Sequence, residues 1–272
     1  MAVNDVRLYG QIMEEPRFYL RRNESVPHKC VLSVKTLSRF NNSSDKRRIV
    51  YDEVILMTEN PDMIQYARRN LQINDIVYVK GILCTADTTR KLICSNCGAE
   101  FGELGYTCYV HPIHIVLIES QVSDDKGYAL LRENAEVSNE VILDGRVCTD
   151  IAFYQERRIS NYKLAVKRPF HILEDSADKK ADFPVVNTYY DQAESDWKYA
   201  CRGTRMNVKG SIRVRAVERK VCCPECGYME DVTYRILEVV ASGVGYTSDW
   251  NQPEKRENGP EIIVRDGMGE EE

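Results

Sequence analysis

Two Cys-x-x-Cys-Gly segments carry the clearest chemistry in this 272-residue chain: Cys94-Ser-Asn-Cys97-Gly98 and Cys223-Pro-Glu-Cys226-Gly227. Such spacing turns two sulfurs toward one ion, and a closed tetrahedral zinc site needs four of them. Each segment supplies two. One solution shares an ion between the segments, so that Cys94, Cys97, Cys223 and Cys226 cross-link distant parts of the chain. Another is local, with Cys94, Cys97, Cys108 and His111 in a C-x2-C-x10-C-x2-H spacing, leaving Cys223 and Cys226 to recruit Cys222 or another chain. The shared site is preferred, with the local one and two separate or intermolecular sites as alternatives. The expected cofactor is Zn2+ in a structural role, because an all-cysteine site keeps no open position for catalysis. A redox role would call for a βαβ context that the sequence lacks. Cys30, Cys84, Cys148 and Cys201 are scattered and read as small buried hydrophobes.

Composition narrows the setting of that site. The chain has length enough for two ordinary domains, each with its own core. Apolar residues make up 43% of it, with no run long enough to span a bilayer, so no membrane association is expected. The opening Met-Ala-Val-Asn-Asp has no basic segment leading into an apolar run, and a cytoplasmic location is the expectation. Ten cysteines in such a setting favour metal ligation over disulfides. The net charge is −5, most of it in the final stretch, so the body is close to neutral and neither demands nor excludes a basic groove. No P-loop, dinucleotide fingerprint or His-Glu-x-x-His is present, and no enzyme activity is expected.

The elements that position the cysteines occur twice. Asn4-Asp5-Val6-Arg7-Leu8-Tyr9-Gly10 returns as Asn139-Glu140-Val141-Ile142-Leu143-Asp144-Gly145. Leu32-Ser33-Val34-Lys35 returns as Leu164-Ala165-Val166-Lys167, and Val79-Lys80-Gly81 as Val208-Lys209-Gly210. A repeat of this size fits a whole small β-domain better than a solenoid unit. Each copy opens with an alternating strand ending in Gly10 or Gly145, where a barrel strand bends. Strands follow at Lys29 to Lys35 and Tyr51 to Met57, then a helix from Asn60-Pro61 through Leu71, with Asn60 as its cap. Strands at Ile76 to Leu83 and Ile113 to Glu119 complete the first copy. The second runs through Tyr162 to Lys167, Phe183 to Thr188, a helix near Ala193 to Cys201, Met206 to Val214 and Thr233 to Val240.

Three strands, a helix and two strands is the order of an OB-fold, a five-stranded Greek-key barrel. The expected fold is all-β with short helices: two tandem five-stranded OB-fold barrels, each with its Cys-x-x-Cys knuckle in the strand 4–5 hairpin. The predicted organisation is a first barrel over 1–120, a linker over 121–138, a second barrel over 139–246, and a disordered acidic tail over 247–272.

With these blocks in order, the chain resembles the bacterial single-stranded DNA-binding protein family, and most closely its duplicated Firmicute and mobile-element versions, here with zinc knuckles added. The residues carrying the resemblance are Val6-x-Leu8-x-Gly10, Leu32-x-Val34 leading to Phe40, Tyr51-x-x-Val54 and Asp75-x-Val77-x-Val79-x-Gly81. In the second copy they are Val141-x-Leu143-x-Gly145, Leu164-Ala165-Val166-Lys167-Arg168-Pro169-Phe170 and Asp182-Phe183-Pro184-Val185-Val186. The resemblance implies single-stranded DNA as partner and recruitment of replication or repair proteins through the acidic tail. This tail ends Gly267-Met268-Gly269-Glu270-Glu271-Glu272, without the apolar tip typical of the family. Two barrels in one chain leave the assembly open between a monomer and a homodimer.

Binding single strands without sequence preference takes aromatic platforms for bases and cations for phosphates. The expected platforms are Phe40 and Phe170, which follow the second strands, and Tyr51 and Phe183, which begin the third. The expected cations are Lys35, Arg39 and Arg48 in the first copy and Lys167, Arg168, Arg213 and Arg215 in the second. Arg213 and Arg215 alternate on a strand and so share a face. The expected function is binding of single-stranded DNA during replication, repair or mobile-element transfer. The competing function is a zinc-stabilised OB-fold adaptor for protein contacts in a replication or primosome assembly. Recurrence of Arg beside aromatic residues in both copies favours the first.

Overall fold

In the computed structural model, residues 3–40, 48–169, 172 and 180–247 are described. Thirteen strands and three short helices follow in the order β1(Asn4–Ile12), β2(Arg17–Tyr19), β3(Lys29–Phe40), β4(Arg48–Thr58), α1(Pro61–Asn70), β5(Ile76–Ile93), β6(Glu100–Glu119), α2(Asp124–Glu133), β7(Asn139–Val147), β8(Ala152–Tyr154), β9(Ile159–Lys167), β10(Ala181–Asp182), β11(Val185–Tyr189), α3(Tyr190–Tyr199), β12(Arg205–Cys222) and β13(Met229–Tyr246). The protein is mostly β and OB-fold-like, as expected. Among the described residues, no helix is long and apolar enough to cross a membrane.

Each half closes on itself. In the first, β1 pairs with β3, β3 with β4, β4 in parallel with β6 at Leu56 and Val110, β6 with β5, and β5 with β1. In the second, β7, β9, β11, β13 and β12 close the same ring, with the parallel step at Val186 and Val239. Inward-facing Leu8, Val34, Val54 and Val79 fill one barrel and Leu143, Leu164, Val186 and Val208 the other. Gly10 and Gly145 are needed where the first strand of each barrel turns from one partner to the next. A Cβ on Gly10 would lie 2.5 Å from the Lys35 carbonyl oxygen, and one on Gly145 2.6 Å from that of Ala165. Helix α1 starts as the sequence suggests, with the Asn60 side chain accepting from the amides of Asp62 and Met63.

The barrels join edge to edge. Strands β1 and β7 pair antiparallel, with Val6 opposite Val141, Asn4 opposite Leu143 and Leu8 opposite Asn139. Val6 and Val141 hold the same place in the sequence repeat, so the pairing is centred on equivalent residues. It therefore relates the barrels by a local twofold relation, the geometry of an isologous interface. Equivalent asparagines clamp the joint from both sides. Asn4 donates to the Leu83 carbonyl and accepts from its amide, each at 2.9 Å. Asn139 donates to the Ile212 carbonyl at 2.9 Å and accepts from its amide at 2.7 Å. The Asn139 amide also reaches Thr36 Oγ1 and Ser38 Oγ of the first barrel, each at 3.0 Å.

Strands β5, β6, β12 and β13 run far beyond the short stretches expected, over 18, 20, 18 and 18 residues. At ~3.3 Å per residue each hairpin extends about 60 Å along its path. The predicted linker is largely ordered: it contains α2, whose Leu131 packs with Val122 against Tyr9, Leu37 and Ile76 of the first barrel. The predicted tail beyond Thr247 lies outside the described residues.

Asn139→Leu is expected to cost about 2–4 kcal/mol, since it strands buried partners on both barrels. Asn4→Leu, which loses only the Leu83 pair, should cost less. Urea unfolding of the two variants measures the difference, and equal losses would mean that the bonds to Thr36 and Ser38 contribute nothing.

Candidate nucleic-acid interface and metal centre

The two long hairpins bring the knuckles together. The ligand atoms of Cys94, Cys97, Cys223 and Cys226 all lie within 4.8 Å of one another. Cys94 Sγ stands 3.6 Å from Cys226 Sγ, and Cys97 Sγ 3.8 Å from Cys223 Sγ. A tetrahedron with metal–sulfur bonds of ~2.3 Å has sulfur–sulfur edges of about 3.8 Å, so the donor set fits such an ion. Each knuckle is set by the same local geometry. The Gly98 amide donates to the Cys94 carbonyl and the Gly227 amide to that of Cys223, both at 2.9 Å. Gly98 and Gly227 have φ of 74° and 72°, a left-handed turn that glycine adopts without strain.

Electrostatics at the cluster favour a cation. The Tyr228 amide, with the Asn96 side chain, draws the Cys226 thiol down to about 6. Cys97 receives the Ala99 amide, yet contact with Cys226, burial and the other two sulfurs push it up to about 12. Four thiolates at these separations would repel one another, so holding them all ionised takes a compensating positive charge. Glu230 ties the hairpins beside the cluster by accepting from the Ser95 hydroxyl at 2.7 Å.

The alternates lie elsewhere. Cys108 sits opposite Thr85, well down the first hairpin, where burial pushes its thiol far above the usual range and keeps it a neutral apolar group. His111 is buried opposite Ile82. Cys222 is exposed, its thiol directed to the Cys223 carbonyl at 3.6 Å.

Of the expected phosphate contacts, several are occupied by the protein itself. Arg168 is buried and holds Asp182 with both ends of its guanidinium, at 2.9 and 2.7 Å. Lys35 is buried too, its ammonium 4.2 Å from the ring centre of Tyr128. Arg213 faces Asp52 at 3.4 Å, and Arg215 pairs with Glu238 at 2.9 Å. Lys167 is exposed at the end of β9. The backbones of Arg39, Phe40 and Arg48 lie on β3 and β4, but their side chains, like all of Phe170, fall outside the described residues.

The two expected third-strand aromatics do not match in place. Gly10 pairs with Thr36 and Gly145 with Val166, and these pair onward with Asp52 and Asp182, which sets Phe183 level with Glu53 rather than with Tyr51. Tyr51 packs edge-on against Tyr128 at 4.8 Å. Phe183 is partly exposed, and its carbonyl accepts from the Tyr106 hydroxyl at 2.6 Å.

That tyrosine comes from the first barrel's hairpin, and Lys163 of the second barrel lies 4.8 Å from its ring centre. Tyr106, Tyr234, Arg90 and Lys91 escaped the sequence reading. Arg90 and Arg219 both stack over Tyr234, at 5.2 and 5.6 Å. A signal was available, since Arg90-Lys91 and Arg219-Lys220 precede their knuckles by the same spacing.

No curated protein matches the chain. Among solved structures, a deletion mutant of the single-stranded DNA binding protein from Thermus aquaticus superposes with a TM-score of 0.56 at 16% identity, covering 93% of this chain and 98% of that one. The wild-type Thermus aquaticus protein gives 0.54 at 15% identity, covering 93% and 97%. Identities this low establish likeness of fold. Residues 138–234, which run from the joint over four strands of the second barrel to the start of β13, match the model of the Single-strand binding protein family.

Proposed function

We propose that this protein binds single-stranded DNA with little sequence preference, protecting or organising it during replication, repair or transfer of a mobile element. The observation that carries the reading is the family match over 138–234, which covers four strands of the second barrel and the start of the fifth. The structural likeness to the Thermus aquaticus protein, which its own description calls a single-stranded DNA binding protein, extends the support over both barrels. OB-folds bind oligonucleotides on the face of their second and third strands and with the hairpin loops beside it. Here that face carries Lys163, Lys167 and Phe183 in the second barrel. The hairpins add Tyr106 and the Arg90-Lys91 and Arg219-Lys220 pairs. Aromatic rings give stacking that any base can use, and the cations give a salt-sensitive attraction to phosphate.

Zinc is the ion proposed for Cys94, Cys97, Cys223 and Cys226, four thiolates being its usual structural set. Its role would be to hold the tips of the two hairpins together, with no part in any reaction.

Titration into a fluorescent oligo-thymidine, with the matching duplex as control, should give tight binding to the single strand alone. With about three phosphates neutralised, affinity should fall roughly twentyfold between about 50 and about 200 mM salt. Equal affinity for duplex, or indifference to salt, would leave the protein-adaptor reading in front. Metal analysis of the purified protein should find about one equivalent of zinc per chain. Cys94→Ser and Cys226→Ser should each lose most of it, whereas independent sites would leave one knuckle's share behind.

A further inference from the structure

The two barrels present different outer faces. In the first, Tyr51 and Lys35, two of the side chains that the sequence marks for base and phosphate, already have partners from helix α2. Tyr128 sets its ring edge-on to Tyr51 at 4.8 Å and beneath the Lys35 ammonium at 4.2 Å. Arg132 donates from Nε to the Tyr51 hydroxyl at 3.1 Å. A ring against the aromatic, a ring under the cation and a donor to the hydroxyl are the contacts a nucleotide would otherwise supply.

The helix is firmly seated. Leu131 is fully buried with Val122 on Tyr9, Leu37 and Ile76. Gly127 passes so close to Gln11 that a Cβ there would meet Oε1 at 2.5 Å, while the Gln11 side chain donates to the Val122 carbonyl at 3.0 Å. Ser138, just after the helix, accepts from the Leu37 amide at 2.9 Å and donates to the Tyr9 carbonyl at 2.7 Å.

Among the described residues, the second barrel has no seat of this kind. By the repeat blocks, Tyr9 and Ile76 correspond to Asp144 and Arg205, which form an ion pair at 2.6 Å in place of the apolar patch. Its outer face keeps Lys163 and Lys167 on one side of β9, two residues being the strand period. Phe183 is 37% exposed and Tyr106, reaching over from the first barrel's hairpin, is 40% exposed.

We infer that the barrels are unequal binding units: α2 fills the β3–β4 face of the first, and a single strand is taken on the β9–β11 face of the second, completed by Tyr106 from the first. This rests on the single-stranded DNA reading above and assigns its platform. The first barrel then serves as a scaffold that contributes one tyrosine to its neighbour's site.

The test is photocross-linking of the wild-type chain to oligo-thymidine carrying 5-iododeoxyuridine, followed by peptide mapping. It is paired with affinities of Phe183→Ala and Tyr51→Ala. Cross-links should map to the peptides holding Tyr106 and Phe183, and Phe183→Ala should weaken binding about tenfold while Tyr51→Ala stays within about twofold. Cross-links concentrated at Tyr51 or Tyr128 would overturn the inequality and leave single-strand binding intact. Failure of the wild-type chain to bind the strand at low salt would overturn both. The cross-link needs no substitution, so a variant that folds poorly does not obscure the outcome.

Discussion

The antiparallel pairing of β1 with β7 is the constraint on which the rest of the molecule depends. It spends an exposed strand edge of each barrel on the other, removing the hazard that a free edge carries. Because it is centred on Val6 and Val141, whatever the first barrel does to the second, the second does in return. The Asp52 carboxylate accepts from the Val214 amide at 2.8 Å, and Asp182 accepts from the Thr85 amide at 2.8 Å. Thr85 and Val214 hold the same place on the two hairpins. The cysteines obey the same relation: exchanging the repeats turns the Cys94–Cys226 contact into the Cys223–Cys97 contact. A four-ligand site made from two half-sites must lie on such an axis. The register of one strand pair thus selects the shared cluster over the local one.

Departures from that symmetry sit away from the joint and change the outer faces. Asp52 is answered across the joint by Arg213, whereas Asp182 is answered within its own barrel by Arg168. Burying a bidentate Arg–Asp pair is costly unless both partners stay hydrogen-bonded, and here Asp182 also serves the Thr85 amide and hydroxyl. Arg168 is therefore committed to holding the second barrel against the first barrel's hairpin. On the opposite side, Glu53 takes Arg235 at 2.7 Å and the Ser33 hydroxyl, so its charge is answered at the face that α2 covers.

Legibility followed the range of the interaction. Gly10, Gly145, the Asn60 cap and the knuckle glycines answer to sterics within a few residues, and the sequence is enough to place them. Lys35 and Arg168 read from the sequence as phosphate contacts, and their burial is not legible there because their partners, Tyr128 and Asp182, arrive on other elements. A lysine on an alternating strand looks the same whether water or a ring faces it. Helix α2 reads as linker in the sequence, since Gly127 and the charged Asp124-Asp125-Lys126 start obscure its apolar side. Only the apolar patch of Tyr9, Leu37 and Ile76 makes Leu131 a core residue. The offset between Tyr51 and Phe183 is one of register, since Asp52 and Asp182 hold equivalent places and Tyr51 precedes the first while Phe183 follows the second.

The length of the hairpins explains why cysteines stand at their tips. Beyond Asp87 and Arg215 the strands leave the barrels, and side chains such as Ile93 and Leu104 are largely exposed. An isolated two-stranded ribbon is marginal in water, because it has no second layer to bury against. Arg90 bonded to the Thr233 carbonyl at 2.9 Å, the stacks on Tyr234 and the Glu230 contact are exposed polar interactions, each weak alone. A metal at the tips would close a loop of more than a hundred residues between the knuckles. Its constraint would act on the unfolded chain as well as on the free ends of the ribbons. The cluster is thus placed where the fold has no core to spend.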